Sequence, residues 1–326
     1  MRIATLEATP EEPVRRLAFV GPDGRVTPLP DAVRHLEESG IRRFSEDERR
    51  LLSGAPEDNG WLTPAGLALL RGIEEACGPG DGLAPVRRPV DGLQLAPPVP
   101  RPGKIIAVGR NYMDHVREGQ EIWAKRGKEV KIPGFPTAFA KYPSSLTGPD
   151  RPILLPAGID DVDYEIELAV VIGTPALDVP VERALDHVAG YTICNDVGAR
   201  GIQRQEMEQQ IGIVLAKNFP SFAPMGPWLV TADDIPDPQA LDIQLTVDGE
   251  VRQHASTADM IFSVATLVSY WSRMGLEPGD IIITGTPSGV ALARPDPAPF
   301  YLRDGQTVVA SIAGIGALSN PVTRAS

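Results

Sequence analysis

Alternating apolar and polar positions at residues 162–173 (VDYEIELAVVIG) predict a strand near the middle of the chain. A period of two, with a run of branched aliphatic residues at its end, favours a strand over a helix. The apolar set is Tyr164, Ile166, Leu168, Val170 and Ile172. The acidic set is Asp163, Glu165 and Glu167. Because alternate strand side chains share a face, these carboxylates are expected on one face at ~6.5–7 Å spacing.

The acidic face has two interpretations. Like charges that lead into an apolar strand are unfavourable unless water or a cation compensates them. Hard divalent ions such as Mg²⁺ bind carboxylate oxygens, which makes the face a candidate metal site. The same pattern also fits an exposed strand at the rim of a sheet, and this stretch alone leaves both open.

The N-terminal third predicts fewer elements. Residues 17–29 resemble a hairpin with Asp23-Gly24 at the turn, and short helices are predicted over 31–39 and 64–77. A Pro-rich stretch at 96–103 favours an extended connection. We therefore expect a small α+β N-terminal domain over 1–98 and a larger domain over 99–326.

The larger domain mixes strands and helices without regular alternation, which favours an α+β fold over a doubly wound sheet. Further strands are predicted at 104–109, 135–141, 190–195, 225–230, 241–247 and 281–284. Helices are predicted at 110–118, 181–188, 196–210 and 257–274. Residues 119–134 are polar and bounded by glycine, as expected of a surface loop or lid, and 304–322 form a hairpin pattern.

Composition narrows the class of protein. The net charge of −12 over 326 residues, without a Lys/Arg block, argues against nucleic-acid binding. Two cysteines without CxxC spacing suit a reducing cytosol. No secretory signal and no apolar stretch of ~20 residues is found, so we predict a cytoplasmic protein without a membrane partner.

Three further features carry candidate chemistry. Asp196 is placed to cap a helix, and Arg200 and Gln203 follow on the same helix face. This face is a candidate site, but the sequence alone favours a capped helix with an ordinary Asp–Arg pair. His115 and Glu118 are three residues apart, which suits either a general-base dyad or a surface ion pair. The third feature is Lys217. It is either a surface lysine whose carbon chain lies along apolar residues, or a cation that stabilises an oxyanion formed during a reaction.

Seven separated segments resemble the fumarylacetoacetate hydrolase family. They occur in the family's order and lie within residues 102–323: GRNYMDHVRE, FAKYPSSLTGP, VDYEIELAVVIG, GYTICNDVGARGIQ, AKNFPSFAPMGP, DGEVRQHASTADMIFS and LEPGDIIITGTPSGV. The resemblance implies a mixed β-sandwich roll, a homodimer, and one Mg²⁺ or Mn²⁺ per active site.

The resemblance also implies roles for individual residues. The metal ligands would be Glu165, Glu167 and Asp196, which leaves Asp163 behind the ligands or facing solvent. The catalytic residues would be His115, Glu118 and Lys217. The substrate-binding residues would be Arg200, Gln203, Thr286, Tyr112 and Ser145.

Members of the family act on 2-oxo acids with a second carbonyl group. The resemblance therefore implies a Mg²⁺-dependent hydrolase that cleaves a C–C bond in an acylpyruvate or fumarylpyruvate. Decarboxylation, hydration or isomerisation of 2-oxo acids on the same metal site is an alternative, and a catalytically idle metal-binding scaffold is another. Basic residues in the 119–134 loop suggest a substrate with a second acidic group.

Overall fold

The computed structural model describes residues 1–53, 56–76, 86–90, 93–124, 132–210 and 212–325. Its α-helices are α1 (Leu29–Glu38), α2 (Glu46–Ser53), α3 (Pro64–Ala76), α4 (Met113–Ala124), α5 (Arg200–Glu208) and α6 (Val264–Ser272). Its strands are β1 (Arg2–Leu6), β2 (Arg16–Val20), β3 (Val26–Pro28), β4 (Leu95–Ala96), β5 (Ile105–Gly109), β6 (Thr137–Lys141), β7 (Leu146–Thr147), β8 (Ile153–Leu155), β9 (Val162–Asp163), β10 (Ile166–Ile172), β11 (Val188–Asn195), β12 (Gly198–Ala199), β13 (Ala223–Thr231), β14 (Asp242–Val247), β15 (Glu250–Ser256), β16 (Ile281–Ile283), β17 (Thr307–Ile312) and β18 (Gly316–Arg324).

Two large sheets and helices give the α+β architecture that the sequence predicts. The larger sheet has the order β3-β2-β1-β13-β11-β10-β16-β5-β6, with β4 paired to β1 and β7 to β13. The second sheet has the order β15-β14-β17-β18-β8, and β9 pairs with β12 separately. Most pairs are antiparallel, whereas β16 and β5 are parallel, so the large sheet is mixed.

Strand β10 lies between two apolar layers and is buried along its whole length. On one face Ile166 and Leu168 belong to a core shared with Ile243 and Leu245 of the second sheet. On the opposite face Val171 belongs to a core shared with the helical layer of α1 and α3. The predicted strand is therefore confirmed, and the interpretation of its acidic face as an exposed rim is wrong.

The N-terminal residues extend the large sheet. Strand β1 pairs antiparallel with β13, matching Arg2 with Val230 and Ile3 with Leu229. The predicted hairpin is confirmed as the antiparallel pair β2–β3. Strands from both sides of residue 98 belong to the large sheet, and residues from both sides belong to the core beneath α1 and α3. The described parts of the two predicted domains therefore share a sheet and a core, and the predicted domain division stays a prediction.

Several predicted helices differ from the structure, and the one predicted over 181–188 is a 3-10 helix over Val181–His187. Helix α4 continues past Glu118 to Ala124, so part of the expected loop is helical, while 125–131 lie outside the described residues. The helix predicted from Asp196 begins at Arg200, because residues 198–199 pair as β12 first. The stretch 257–274 divides into a 3-10 turn and α6, since Ser263 caps the start of α6 by accepting from Thr266 N. Among the described helices, none is long and apolar enough to span a bilayer.

Candidate active site

Three acidic residues meet where β10 begins and β11 ends. One carboxylate oxygen each from Glu165, Glu167 and Asp196 lies within 4.8 Å of the others. Antiparallel pairing places Ile166 opposite Asn195, which brings Asp196 beside the start of β10. Two bonds fix this register: Asp196 N donates to Glu165 O (2.8 Å), and Glu165 N donates to Asn195 Oδ1 (2.9 Å). All three acidic side chains are buried.

Two buried lysines contact this acidic cluster. Lys217 Nζ donates to Glu165 Oε2 (2.5 Å), Asp196 Oδ2 (2.9 Å) and the main-chain oxygen of Asp196 (2.8 Å). Lys141 Nζ lies 2.7 Å from Asp196 Oδ1 and donates to Lys217 O (2.5 Å). Lys141 was not among the predicted site residues; the available signal was a lysine at the end of an otherwise uncharged strand.

Arg200 joins the cluster to Asp163. Its Nε donates to Asp163 Oδ2 (2.8 Å), its Nη2 to Glu165 Oε1 (2.5 Å) and its Nη1 to Gln203 Oε1 (2.9 Å). Asp163 is fully buried and also accepts from the backbone N–H groups of Ala291 and Leu292 (2.8 and 3.0 Å). Of the two positions expected for Asp163, the structure shows the one behind the predicted ligands and not the one facing solvent, and the Arg200 guanidinium and two backbone donors compensate its burial.

The two strand glutamates are in opposite electrostatic environments. Burial alone raises the pKa of Glu165, but the charges of Arg200 and Lys217 hold that pKa well below its usual range. Burial and the neighbouring carboxylates of Asp196 and Glu165 raise the pKa of Glu167 well above its usual range. Glu167 Oε2 accepts from Gly285 N (2.7 Å), and no ion pair joins Glu167 within the part of the chain described.

Charge counting shows what the cluster can accommodate. Among the described residues, four carboxylates (Asp163, Glu165, Glu167 and Asp196) face three cations (Lys141, Arg200 and Lys217), which leaves one negative charge when all four carboxylates are ionised, as metal binding requires. A divalent cation changes this balance to one positive charge, and one carboxylate of a ligand then neutralises it. Since carboxylate oxygens are the donors that Mg²⁺ prefers, the residues present fit such an ion.

The turn after β16 supports Glu167 through its backbone. Gly285 has a positive φ of 92°, and a Cβ there would lie 2.8 Å from Asn111 Cβ, so the turn requires glycine. Next to it, Thr286 Oγ1 accepts from the amide of Gln253 on β15 (2.8 Å). The same Gln253 side chain, which is buried, accepts from Ile166 N (3.0 Å). Gln253 was not predicted, because only the fold brings β15 to this turn.

His115 and Glu118 lie on α4, as the sequence predicts. The distance from His115 Nδ1 to Glu118 Oε2 is 3.5 Å, which is an ion-pair contact and longer than a good hydrogen bond. Glu118 is held in turn by Gly289 N, which donates to Oε1 at 3.0 Å. General-base contacts are often long before substrate binds, so this spacing is compatible with a dyad.

A cavity of about 670 Å³ joins these groups. The predicted residues that line it are His115, Glu118, Glu165, Glu167, Asp196, Arg200, Gln203, Lys217 and Thr286. Tyr112 and Ser145 are not among the described lining residues: both are buried, and the Ser145 hydroxyl donates to Tyr142 O (2.7 Å). The structure thus separates these two from the other predicted substrate-binding residues.

Replacing Tyr112 with Phe tests this separation. Among the described residues, none forms a hydrogen bond with the buried Tyr112 hydroxyl. Removing a buried hydroxyl without a partner is expected to leave the free energy of unfolding unchanged or to raise it by ~1 kcal/mol. Urea unfolding of the variant and the wild type measures this difference. A loss of 2 kcal/mol or more would show that the hydroxyl is bonded in solution.

Comparison with known proteins gives consistent results. The family model for the fumarylacetoacetate (FAA) hydrolase C-terminal domain matches residues 104–323. A Burkholderia multivorans protein named as a hydrolase is 43% identical over 282 residues, covering 86% of this chain and 93% of that protein. The solved 5-carboxymethyl-2-hydroxymuconate delta-isomerase from Mycobacterium smegmatis is 31% identical (TM-score 0.68, 100% of both chains covered). Maleylpyruvate hydrolase from Sphingobium sp. SYK-6, solved with manganese(II) and pyruvate, is 28% identical (TM-score 0.69, 100% of both chains covered).

Proposed function

The chain belongs to the fumarylacetoacetate hydrolase family, and from this premise we propose that it is a divalent-metal-dependent hydrolase that cleaves a C–C bond of a 2,4-dioxo acid. Acylpyruvates and fumarylpyruvate are the substrate class. The observation that carries the proposal is one cavity that joins a buried acidic cluster, with one uncompensated negative charge, to the pair His115–Glu118.

Glu165, Glu167 and Asp196 would hold Mg²⁺ or Mn²⁺. The bound ion would supply Lewis-acid polarisation of the 2-oxo group and stabilisation of enolate charge. Lys141, Lys217 and Arg200 keep the carboxylates in place through the contacts described above. The manganese and pyruvate in the Sphingobium relative support an ion and a 2-oxo acid as ligands of this kind of site.

Two side chains of the cavity wall keep donors for a substrate. Gln203 Oε1 accepts from Arg200, so the Gln203 amide nitrogen remains to donate to a substrate oxygen. Thr286 Oγ1 accepts from Gln253, so its own O–H remains to donate as well. Because each acceptor is already occupied by a protein donor, both groups are oriented before substrate binds.

His115, oriented by Glu118, would take a proton from a water whose oxygen attacks the distal carbonyl carbon. The resulting tetrahedral oxyanion collapses with breakage of the C–C bond, which gives a carboxylic acid and the enolate of a 2-oxo acid. The proton on His115 then goes to the enolate carbon, so atoms and charge balance. All three hydrogens of the Lys217 ammonium have acceptors, so Lys217 stabilises the oxyanion only after releasing one of them.

The experiment follows turnover of acylpyruvates, fumarylpyruvate and oxaloacetate by loss of enol absorbance and release of pyruvate. Hydrolysis that depends on Mg²⁺ or Mn²⁺ and stops in EDTA is the expected result. Turnover that EDTA leaves unchanged contradicts the role of the metal. Decarboxylation or isomerisation without hydrolysis contradicts the water-activation step, and the isomerase among the structural relatives makes that measurement necessary.

Replacing His115 with Ala is expected to lower kcat for hydrolysis by about 10²–10⁴-fold, the usual contribution of a general base. Decarboxylation of oxaloacetate, which needs no activated water, is expected to be largely retained. His254→Ala is the matched control, because His254 is exposed and pairs with Asp242 outside the cavity. Equal losses in the two reactions of His115→Ala would remove His115 from water activation.

A further inference from the structure

We propose that Arg204 binds a second carboxylate at the far end of the substrate, and so selects dicarboxylic 2-oxo acids over acylpyruvates with an uncharged tail. The inference rests on the proposed function, because that function places the first carboxylate at the acidic cluster. It identifies a residue that determines specificity within that substrate class.

One face of α5 forms a wall of the cavity. Arg200, Gln203, Arg204 and Met207 stand at positions i, i+3, i+4 and i+7, and all four line the cavity. Exposure increases along this face, from a side chain that is 5% exposed at Arg200 to a residue that is 47% exposed at Met207. The helix therefore leads from the buried acidic cluster towards the opening of the cavity.

Helix α5 also sets the distance between Arg200 and Arg204. Arg200 is fixed at the inner end by its bond to Glu165. Four residues of α-helix advance by roughly 6 Å, so Arg204 stands about one turn farther out on the same wall. A carbon chain of a few atoms spans this separation, which matches a short dicarboxylic acid whose 2-oxo acid head lies at the cluster.

Among the described residues, no carboxylate pairs with Arg204, so its positive charge can bind a substrate anion. Lys141, Arg200 and Lys217 are each bound to carboxylates of the cluster. Arg204 also lines the cavity, yet within the described ranges no hydrogen bond or ion pair joins it to another residue. A guanidinium presents a planar fork of donors that matches a carboxylate with two parallel bonds, so an anionic substrate end is its natural ligand.

Arg110 adds positive charge to the same cavity. It follows β5 with a positive φ of 50°, a conformation that is uncommon outside glycine. Like Arg204, it has no ion pair in the part of the chain that the structure describes. The described lining of the cavity thus carries two cations, Arg110 and Arg204, without protein carboxylates, which favours a second anionic group on the ligand.

The test compares two substrates in the full-length, Mg²⁺-loaded enzyme: fumarylpyruvate, and an acylpyruvate of equal chain length that ends in a methyl group. We expect the wild type to prefer fumarylpyruvate. Arg204→Met is expected to lower kcat/KM for fumarylpyruvate by about 10- to 150-fold, mostly through KM, while the uncharged substrate is unaffected. Arg204→Lys keeps the charge but loses the fork, and is expected to retain part of the preference.

Arg117→Met is the matched control, because Arg117 is exposed, pairs with Asp114 and does not line the cavity. Equal changes for both substrates in Arg204→Met, or no change for either, would overturn the inference while the proposed function stands. A wild type that hydrolyses neither substrate would overturn the proposed function and this inference together.

Discussion

Glu167→Gln is expected to weaken metal binding strongly while leaving the metal-free protein as stable as the wild type or more stable. Glu167 is buried, its carboxylate has no ion-pair partner in the described part of the chain, and burial with the neighbouring carboxylates raises its pKa, so the ionised form is disfavoured until a cation binds. The amide is neutral and of the same shape, which removes that cost. Affinity for Mn²⁺ is expected to fall at least 100-fold, since outer-shell changes alone cost 10–100-fold.

Thermal unfolding in EDTA and in excess Mn²⁺ measures both effects. For the wild type, metal at 100 times its dissociation constant adds about 2.7 kcal/mol to the free energy of unfolding and raises the melting temperature. In Glu167→Gln, an affinity at least 100-fold weaker leaves about 0.4 kcal/mol or less of this stabilisation at the same Mn²⁺ concentration. A rise of wild-type size in the variant would exclude Glu167 as a ligand.

Glu165→Gln is the matched comparison on the same strand face, because Glu165 is buried against Arg200 and Lys217. Breaking that buried arrangement is expected to destabilise the metal-free protein by about 3–5 kcal/mol. Both substitutions replace glutamate with glutamine. Opposite effects on the free energy of unfolding in EDTA would therefore reflect the different surroundings of Glu165 and Glu167.

Asp163→Asn is expected to destabilise the protein by about 3–5 kcal/mol and to lower activity, although Asp163 touches no substrate in the proposed mechanism. Its carboxylate accepts from Arg200 Nε and from two backbone N–H groups at residues 291–292. Asparagine removes the charge that compensates Arg200 and brings an N–H donor towards other donors. Urea unfolding and steady-state kinetics measure the two effects.

Asp160→Asn is the control for this substitution. Asp160 is 75% exposed and pairs with Arg324 at the surface, where such pairs contribute little. If Asp160→Asn and Asp163→Asn shift the urea midpoint equally, the buried Asp163–Arg200 pair has no special structural role.

The local pattern predicted β10 and its two glutamates because a period of two is visible within a few residues. Asp196 is different: only the antiparallel register of β10 and β11 brings it to Glu165, and the sequence pointed to it through family resemblance. Its predicted local role as a helix cap was wrong, since Ala199 precedes α5 and the Asp196 carboxylate contacts two lysines. Local spacing cannot encode such long-range pairing.

Long-range packing also explains why the sequence did not identify two residues of the site. Lys141 and Gln253 resemble ordinary polar strand residues until the fold buries them beside Asp196 and Thr286. Asp163 was expected to share the face of its neighbours, but the strand is interrupted between β9 and β10. The dyad, the ligand roles and the homodimer stay predictions for experiment.

The pairing of β1 with β13 has a consequence for dissecting the protein. A shortened chain that starts at residue 99 would expose the backbone edge of β13 that β1 covers, together with apolar residues such as Leu229 that pack on the N-terminal layer. Unpaired edges of this kind promote aggregation between copies. Strand β1 therefore covers an edge of the large sheet, and we expect a minimal catalytic fragment to need this strand in order to stay soluble.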